Sequence, residues 1–187
     1  MLTTNDSDIA NYARSYQNRG RDMQSAEECY IIPGRNVRMS EMNALLGRVQ
    51  LSHLDEYLYR RRQIAKMYSE MLYDLQGVQL VIPNKFESSS FWKFILLLDA
   101  TIDRAGVTEY MKSEGVTVDW SYTPALHLQP IFRRLYNTYE GQLPCSEDYL
   151  SRHISLPCHP RITDEETLYV ASTLKKAIYI FSGMSKK

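Results

Sequence analysis

The chain has 187 residues, with 22 Lys and Arg against 22 Asp and Glu, an ordinary globular balance. A length within the usual range of roughly 100–200 residues per domain suits one domain, or one with part of another, and permits a real core. Zero formal net charge leaves no electrostatic footprint for a nucleic-acid backbone or an anionic membrane surface. The longest apolar run, Ile95 to Leu98, falls far short of the ~20 residues that span a bilayer, and MLTTNDSD has neither the basic nor the apolar region of a leader. The expected location is cytoplasmic. Cys29, Cys145 and Cys158 are an odd set without a C-x-x-C pair, so neither a disulfide framework nor a zinc site is indicated.

Met1 to Thr4 reads as a strand already under way, so the chain is expected to start inside something larger. Asp6 to Tyr16 carries Ile9, Ala13 and Tyr16 at helical spacing, and Asn18 to Pro33 reads as a surface loop. From the N-cap Ser40, an apolar stripe runs through Met42, Leu45, Leu46, Val49, Leu54 and Leu58. It resumes at Ile64, Met67, Met71 and Leu75 and stops at Gly77. This predicts one long helix, straight or kinked, about three times the average length. Val78 to Ile82 is a strand, Pro83 to Ser90 a turn region, and Phe91 to Leu98, apolar on both faces, a central strand. A helix follows from about Arg104 to Glu114 and stops at Gly115, then a strand at Val116 to Trp120. Ser121 to Pro130 is a loop pinned by Pro124 and Pro130. Short helices are expected at Ile131–Tyr136 and Ser146–Ser151, and a strand at His153–Leu156. Thr163 and Glu166 form a capping box ahead of a terminal helix marked by Leu168, Ala171, Leu174, Ile178 and Phe181.

Generic catalytic motifs are absent: no G-x-G-x-x-G, P-loop, H-E-x-x-H or G-x-S-x-G occurs. His153, Cys158 and His159 fit no common metal spacing, so no metal site is expected. Arg60, Arg61 and Arg62 are consecutive and point in different directions, as on a solvated helix face. No lysine lies beside an obvious pKa-lowering partner. His127 sits in the proline-pinned loop, where a side chain can meet a cleft. Asn36 and Arg38 precede the long helix, whose free N–H groups favour an anion such as phosphate.

Several blocks carry a family resemblance. GRNVRMSEMNALLGRVQLSHLDEYLYRRRQIAKMY closely resembles the G-x-N-x-RMSE signature region of the DegT/DnrJ/StrS family of pyridoxal-phosphate-dependent sugar aminotransferases. GVTVDWSYTPALHLQPIF is similar to that family's substrate-side loop, LPCSEDYLSRHISLPCHPRITDEE to its LP-x-(A/S)E and LSLP-x-HP block, and MLTTNDSDIANYARSYQNRGRD to its strand and following helix. The resemblance implies an α/β fold: the C-terminal α+β domain of a fold type I transferase with a long bridging helix. It divides the chain into residues 1–38 from the cofactor-binding large domain, the bridging helix 39–76, and the small domain 77–187.

By the same resemblance the lysine that forms the Schiff base lies upstream of Met1, so no catalytic residue is expected here and the fragment alone is expected to be inactive. Asn36 matches the family residue that reaches the cofactor phosphate of the neighbouring subunit, and Arg38 the adjacent arginine. Tyr122 and His127 match substrate-side positions, while Ser121 stands where many members carry His. His159 matches a histidine of packing rather than of the site. The implied parent is a homodimer with shared active sites. It binds pyridoxal 5'-phosphate and transfers an amino group, from glutamate, to a keto-sugar on a nucleotide. The alternatives are a sugar dehydratase of the same family and a non-catalytic dimerisation remnant. A regulator built on this fold would carry a DNA-binding appendage, which the chain lacks.

Overall fold

The computed structural model describes residues 2–84 and 87–182, which fall into two compact units, Met1–His53 and Leu54–Lys187. In the first unit, helix α1 (Ser7–Gln17) starts because the Asp6 carboxylate accepts the N–H groups of Asp8 and Ile9 at 2.8 and 3.1 Å. Beyond α1 the chain doubles back on itself. Arg35 donates its N–H to Tyr16 O at 2.7 Å, Arg19 to Arg35 O at 2.9 Å and Val37 to Gln17 O at 3.0 Å. Antiparallel bridges join Asn18 to Asn36 and Arg21 to Tyr30. The loop expected over 18–33 is therefore a backbone-stitched clasp. Two glycines permit it: a Cβ on Gly20 would lie 1.6 Å from Ile32 O, and one on Gly34 would lie 2.1 Å from Gly20 N. Leu2–Thr4 is not a strand, since none of the three strands described lies in this unit. Met1, the expected first residue of that strand, lies outside the described residues.

The stripe expected as one helix over 39–76 is two helices, α2 (Glu41–Ser52) and α3 (Leu54–Leu72), with His53 between them at φ −104° and ψ 3°. The backbone bonding changes at this junction. The Ser52 hydroxyl donates to Val49 O at 2.8 Å, the carbonyl that His53 N–H would use in a continuous helix, and His53 N–H turns instead to Gln50 O and Leu51 O. α2, capped by Ser40, has no buried residue; Met42, Leu45, Leu46 and Val49 are all exposed.

In the second unit, β1 (Val78–Leu80), β2 (Phe94–Leu98) and β3 (His153–Leu156) form an antiparallel sheet in that order. Leu96 lies opposite both Leu80 and Ile154, and Phe94 opposite Leu156, so strand alternation gathers these side chains on one face. That face packs against Ile64, Tyr68 and Leu72 of α3, Val107 and Met111 of α4 (Arg104–Ser113), and Ala171, Leu174 and Ile178 of α7 (Asp164–Phe181). The Thr163 and Glu166 capping box forms as expected and starts α7. Ile95, Leu97, His153 and Ser155 occupy the opposite face. The strand expected over Val116–Trp120 is reduced to one bridge, Asp119 to Ser155. Its ladder ends because the Ser121 N–H and hydroxyl turn back to the Asp119 carboxylate.

The arginine run is not a solvated face. Arg60 binds Asp164 and Ile162 O, Arg61 donates to the carbonyls of Phe91, Trp92 and Cys158, and Arg62 reaches Ser89 O and the Ser88 hydroxyl. Consecutive helical residues do point apart, and here each direction meets a different loop carbonyl. The remaining helices, α5 (Pro130–Tyr136) and α6 (Pro144–Arg152), each begin with proline at a position where no N–H is needed.

Candidate functional site

Asn36 and Arg38 lie on the returning limb of the first unit's clasp, ahead of the Ser40 cap, and both are exposed. Gly34 allows the backbone to approach closely enough for the bridge at Asn36 to form. Arg38 Nε donates to Asn36 Oδ1 at 3.1 Å, so the two side chains form one polar group. An amide N–H₂ and a guanidinium fork are the donors that suit phosphate oxygens.

The other two expected residues belong to the second unit. Tyr122 has φ 73°, left-handed for a residue with a Cβ, and its side chain is 70% exposed. Beneath its ring lies a polar cluster that sequence reasoning missed. Lys93 pairs with Asp119 Oδ2 and donates to Ser121 Oγ at 3.1 Å, while Ser121 Oγ donates to Asp119 Oδ1 at 2.6 Å. The Lys93 ammonium is 4.9 Å from the centre of the Trp92 ring and 5.5 Å from that of Tyr122. Lys93 and then Ser121 hold the Asp119 carboxyl below the usual carboxylate range. One signal could have found this cluster: a single lysine interrupts the otherwise apolar run FWKFILLL. Ser121, which departs from the family's usual histidine, is thus the third member of an ion-pair group. A cavity of about 250 Å³ opens beside it on the sheet face away from the core, lined by Lys93, Ile95, Leu97, Tyr122, Tyr149 and His153 among others.

His127 is elsewhere. It lies in a 3-10 turn (Leu126–Leu128), is 8% exposed, and does not line the Tyr122 cavity. Its Nε2 is 2.8 Å from Glu147 Oε1, and its carbonyl accepts from the Thr138 hydroxyl. The Gly141 N–H, then His127 and the Leu143 N–H, hold the Glu147 carboxyl below its ordinary value. His159 is exposed near a separate cavity of about 540 Å³. Cys158 is buried, and burial pushes its thiol up to about 11. Among the described residues no cluster of His, Cys, Asp or Glu could hold a metal ion, and no helix is long and apolar enough to cross a membrane.

The model of the DegT/DnrJ/EryC1/StrS aminotransferase family matches residues 1–175. The dTDP-4-dehydro-2,3,6-trideoxy-D-glucose 4-aminotransferase of Saccharopolyspora spinosa is 35% identical over 147 residues, covering 78% of this chain and 36% of that protein. A pleiotropic regulatory protein of Geobacillus stearothermophilus is 29% identical over 93% of this chain and 45% of its own length. Among solved structures, that of DesV from S. venezuelae superimposes with a TM-score of 0.84 at 25% identity, covering 93% of this chain and 45% of DesV. The chain thus spans less than half the length of these relatives.

Proposed function

Because the chain belongs to the DegT/DnrJ/EryC1/StrS aminotransferase family, we propose that it forms the C-terminal part of a pyridoxal-phosphate-dependent aminotransferase that moves an amino group, from glutamate, onto a nucleotide-linked keto-sugar. The observation that carries this reading is the 35% identity, over 78% of the chain, to a sugar 4-aminotransferase. The working unit is a cytoplasmic homodimer in which each chain serves its partner's cofactor.

The donor set at Asn36 and Arg38 fits one portion of the cofactor. Their amide and guanidinium groups match a phosphate and offer nothing for the aldehyde. The described lysines do not suit the aldehyde either. Lys93 is committed to Asp119, and Lys66, Lys112, Lys175 and Lys176 stand on exposed helix surfaces. As the family resemblance implies, the imine lysine is assigned to the portion of the relatives that this chain does not span. Pyridoxal phosphate, when bound, supplies the electron sink for cleavage of the C–H bond beside the amino nitrogen. This chain's own residues hold the phosphate, through Asn36 and Arg38, and shape the sugar subsite, through Tyr122, with the Lys93, Asp119 and Ser121 group fixing that ring from below.

The test is to supply the full-length protein with pyridoxal phosphate, glutamate and nucleotide 4-keto-sugars and to follow 2-oxoglutarate. Its appearance together with an amino sugar is the expected result. A sugar that loses a hydroxyl and gains no amino group would establish the dehydratase reading instead, and no turnover of any kind the non-catalytic one.

A further inference from the structure

His127 is the least accessible of the expected site residues, and its Nε2 is taken within the chain. The imidazole is 8% exposed and one ring nitrogen is committed to Glu147, whose side chain is itself only 17% exposed. Glu147 is equally occupied. Its carboxylate accepts the Gly141 N–H at 2.9 and 2.8 Å through its two oxygens, the Leu143 N–H at 3.1 Å, and the imidazole at 2.8 Å. Three of these contacts fall on Oε1, which they saturate, and the fourth on Oε2, so the oxygen that meets the imidazole is fully engaged within the chain. Leu143 precedes α6 and has no side-chain cap of its own, so Glu147 reaching back to its N–H takes the place of one.

The same contacts define what the pair holds. α6 is anchored on the sheet, since Arg152 Nη1 donates to Leu98 O at 2.7 Å. The loop carrying Tyr122 is sewn to α6 at two points: the Thr123 hydroxyl donates to Leu150 O at 2.9 Å, and His127 meets Glu147. The bonds described for residues 124–129 are otherwise local: Leu128 N–H to Ala125 O, Gln129 N–H to Leu126 O, Gln129 Nε2 to Pro124 O, and the Thr138 hydroxyl to His127 O. Thr123 fixes the residue next to Tyr122, while His127 fixes the far end of the loop.

We propose that His127 and Glu147 act as one positioning unit for the loop that presents Tyr122, and that His127 itself does not touch substrate. The kinetic part of this proposal rests on the reading of Tyr122 as a sugar-side residue; the structural part does not. The unit carries no chemistry of its own. It replaces a direct binding role for His127 with one exerted through the backbone of residues 122–129.

The experiment compares His127→Ala, His127→Gln, Glu147→Ala and the His127→Ala/Glu147→Ala double variant in the full-length protein, by steady-state kinetics and by amide hydrogen exchange. Glu147→Gln, which keeps an acceptor for the two backbone N–H groups, replaces Glu147→Ala if the latter does not fold. Each alanine variant is expected to raise KM for the nucleotide sugar ~10-fold with kcat changed less than ~3-fold. The double variant should be no worse than either single one, because both remove the same interaction. Gln at position 127 places an N–H where Nε2 stood and should restore most of the loss. The Leu128 and Gln129 amides should exchange faster in both alanine variants and recover in His127→Gln.

A raised KM in His127→Ala with those two amides unchanged would mean that His127 touches substrate, and would overturn the proposal; so would additive losses in the double variant. If the wild type transaminates no sugar, the functional reading fails by itself. The exchange arm then still decides, since equal exchange in His127→Ala and wild type would show that the pair does not hold the loop.

Discussion

Removing the Arg61 guanidinium should destabilise the second unit more than any other change in the arginine run. Its Nη1 group donates to Cys158 O at 2.6 Å, Trp92 O at 3.1 Å and Phe91 O at 3.2 Å. One such nitrogen has two N–H groups, so the three acceptors share two strong bonds. A hydrogen bond to a charged group contributes roughly 1.5–3 kcal/mol, and an exposed carbonyl regains water at little cost. The Trp92 carbonyl is exposed, whereas the bonds to Phe91 and Cys158 are part-buried. Arg61→Met, which keeps the apolar stem, should therefore cost about 2–4 kcal/mol, or roughly 5–15 °C in Tm at ~2–4 °C per kcal/mol for a chain of this size. Arg62→Met is the control, because its partners Ser89 O and Ser88 Oγ are both exposed; it should cost under ~1 kcal/mol. Thermal unfolding followed by circular dichroism measures both. An Arg61→Met loss below ~0.5 kcal/mol, or one no larger than that of Arg62→Met, would refute the claim that the run fastens loops by burial of their carbonyls.

Three further outcomes follow from the geometry. The Glu147 carboxyl is held below its ordinary value by the Gly141 N–H and by His127, so its contribution is complete above the unfolded value of about 4.3 and is lost as pH falls through the lower folded value. Glu147→Gln should flatten the acid limb of a stability profile taken between about pH 3 and 7, and an unchanged limb would refute the assignment. Gly34→Ala places a Cβ 2.1 Å from Gly20 N, and should cost about 1–3 kcal/mol in local stability, read as faster exchange of the Arg35 and Val37 amides. Iodoacetamide near pH 8 should label exposed Cys145 and leave Cys158, buried and pushed up to about 11, unmodified in the native chain, with peptide mass spectrometry as the readout.

Much of the fold is legible in residue types because its signals are local. The Thr163 cap with Glu166 three residues on, the prolines that open α5 and α6, and Gly77 and Gly115 at φ 80° and 78° are each decided within a few residues. What the pattern hides depends on partners far away in sequence or on a change of backbone bonding at one residue. Apolar spacing runs unbroken across His53, and nothing in it marks where the His53 N–H leaves Val49 O for Gln50 O and Leu51 O. Arg60, Arg61 and Arg62 have the spacing of a wet surface, yet their acceptors lie up to 104 positions along the chain. The site behaves alike. Asn36 and Arg38 adjoin in sequence and meet in space, but Lys93 finds Asp119, and His127 finds Glu147, only through the sheet and α6.

The single bridge between Asp119 and Ser155 bears on how this chain behaves beside its own copies. β3 is four residues long, and its outward-directed backbone groups at Ser155 are both taken, N–H to Asp119 O at 2.7 Å and carbonyl from Asp119 N–H at 3.1 Å. The segment before Ser121 therefore lies across the edge at which another molecule's strand could otherwise add. At the other edge β1 is only three residues long. Loss of the Lys93 and Asp119 pair, which ties that segment to β2's flank, is expected to show first as self-association that grows with concentration, read by light scattering.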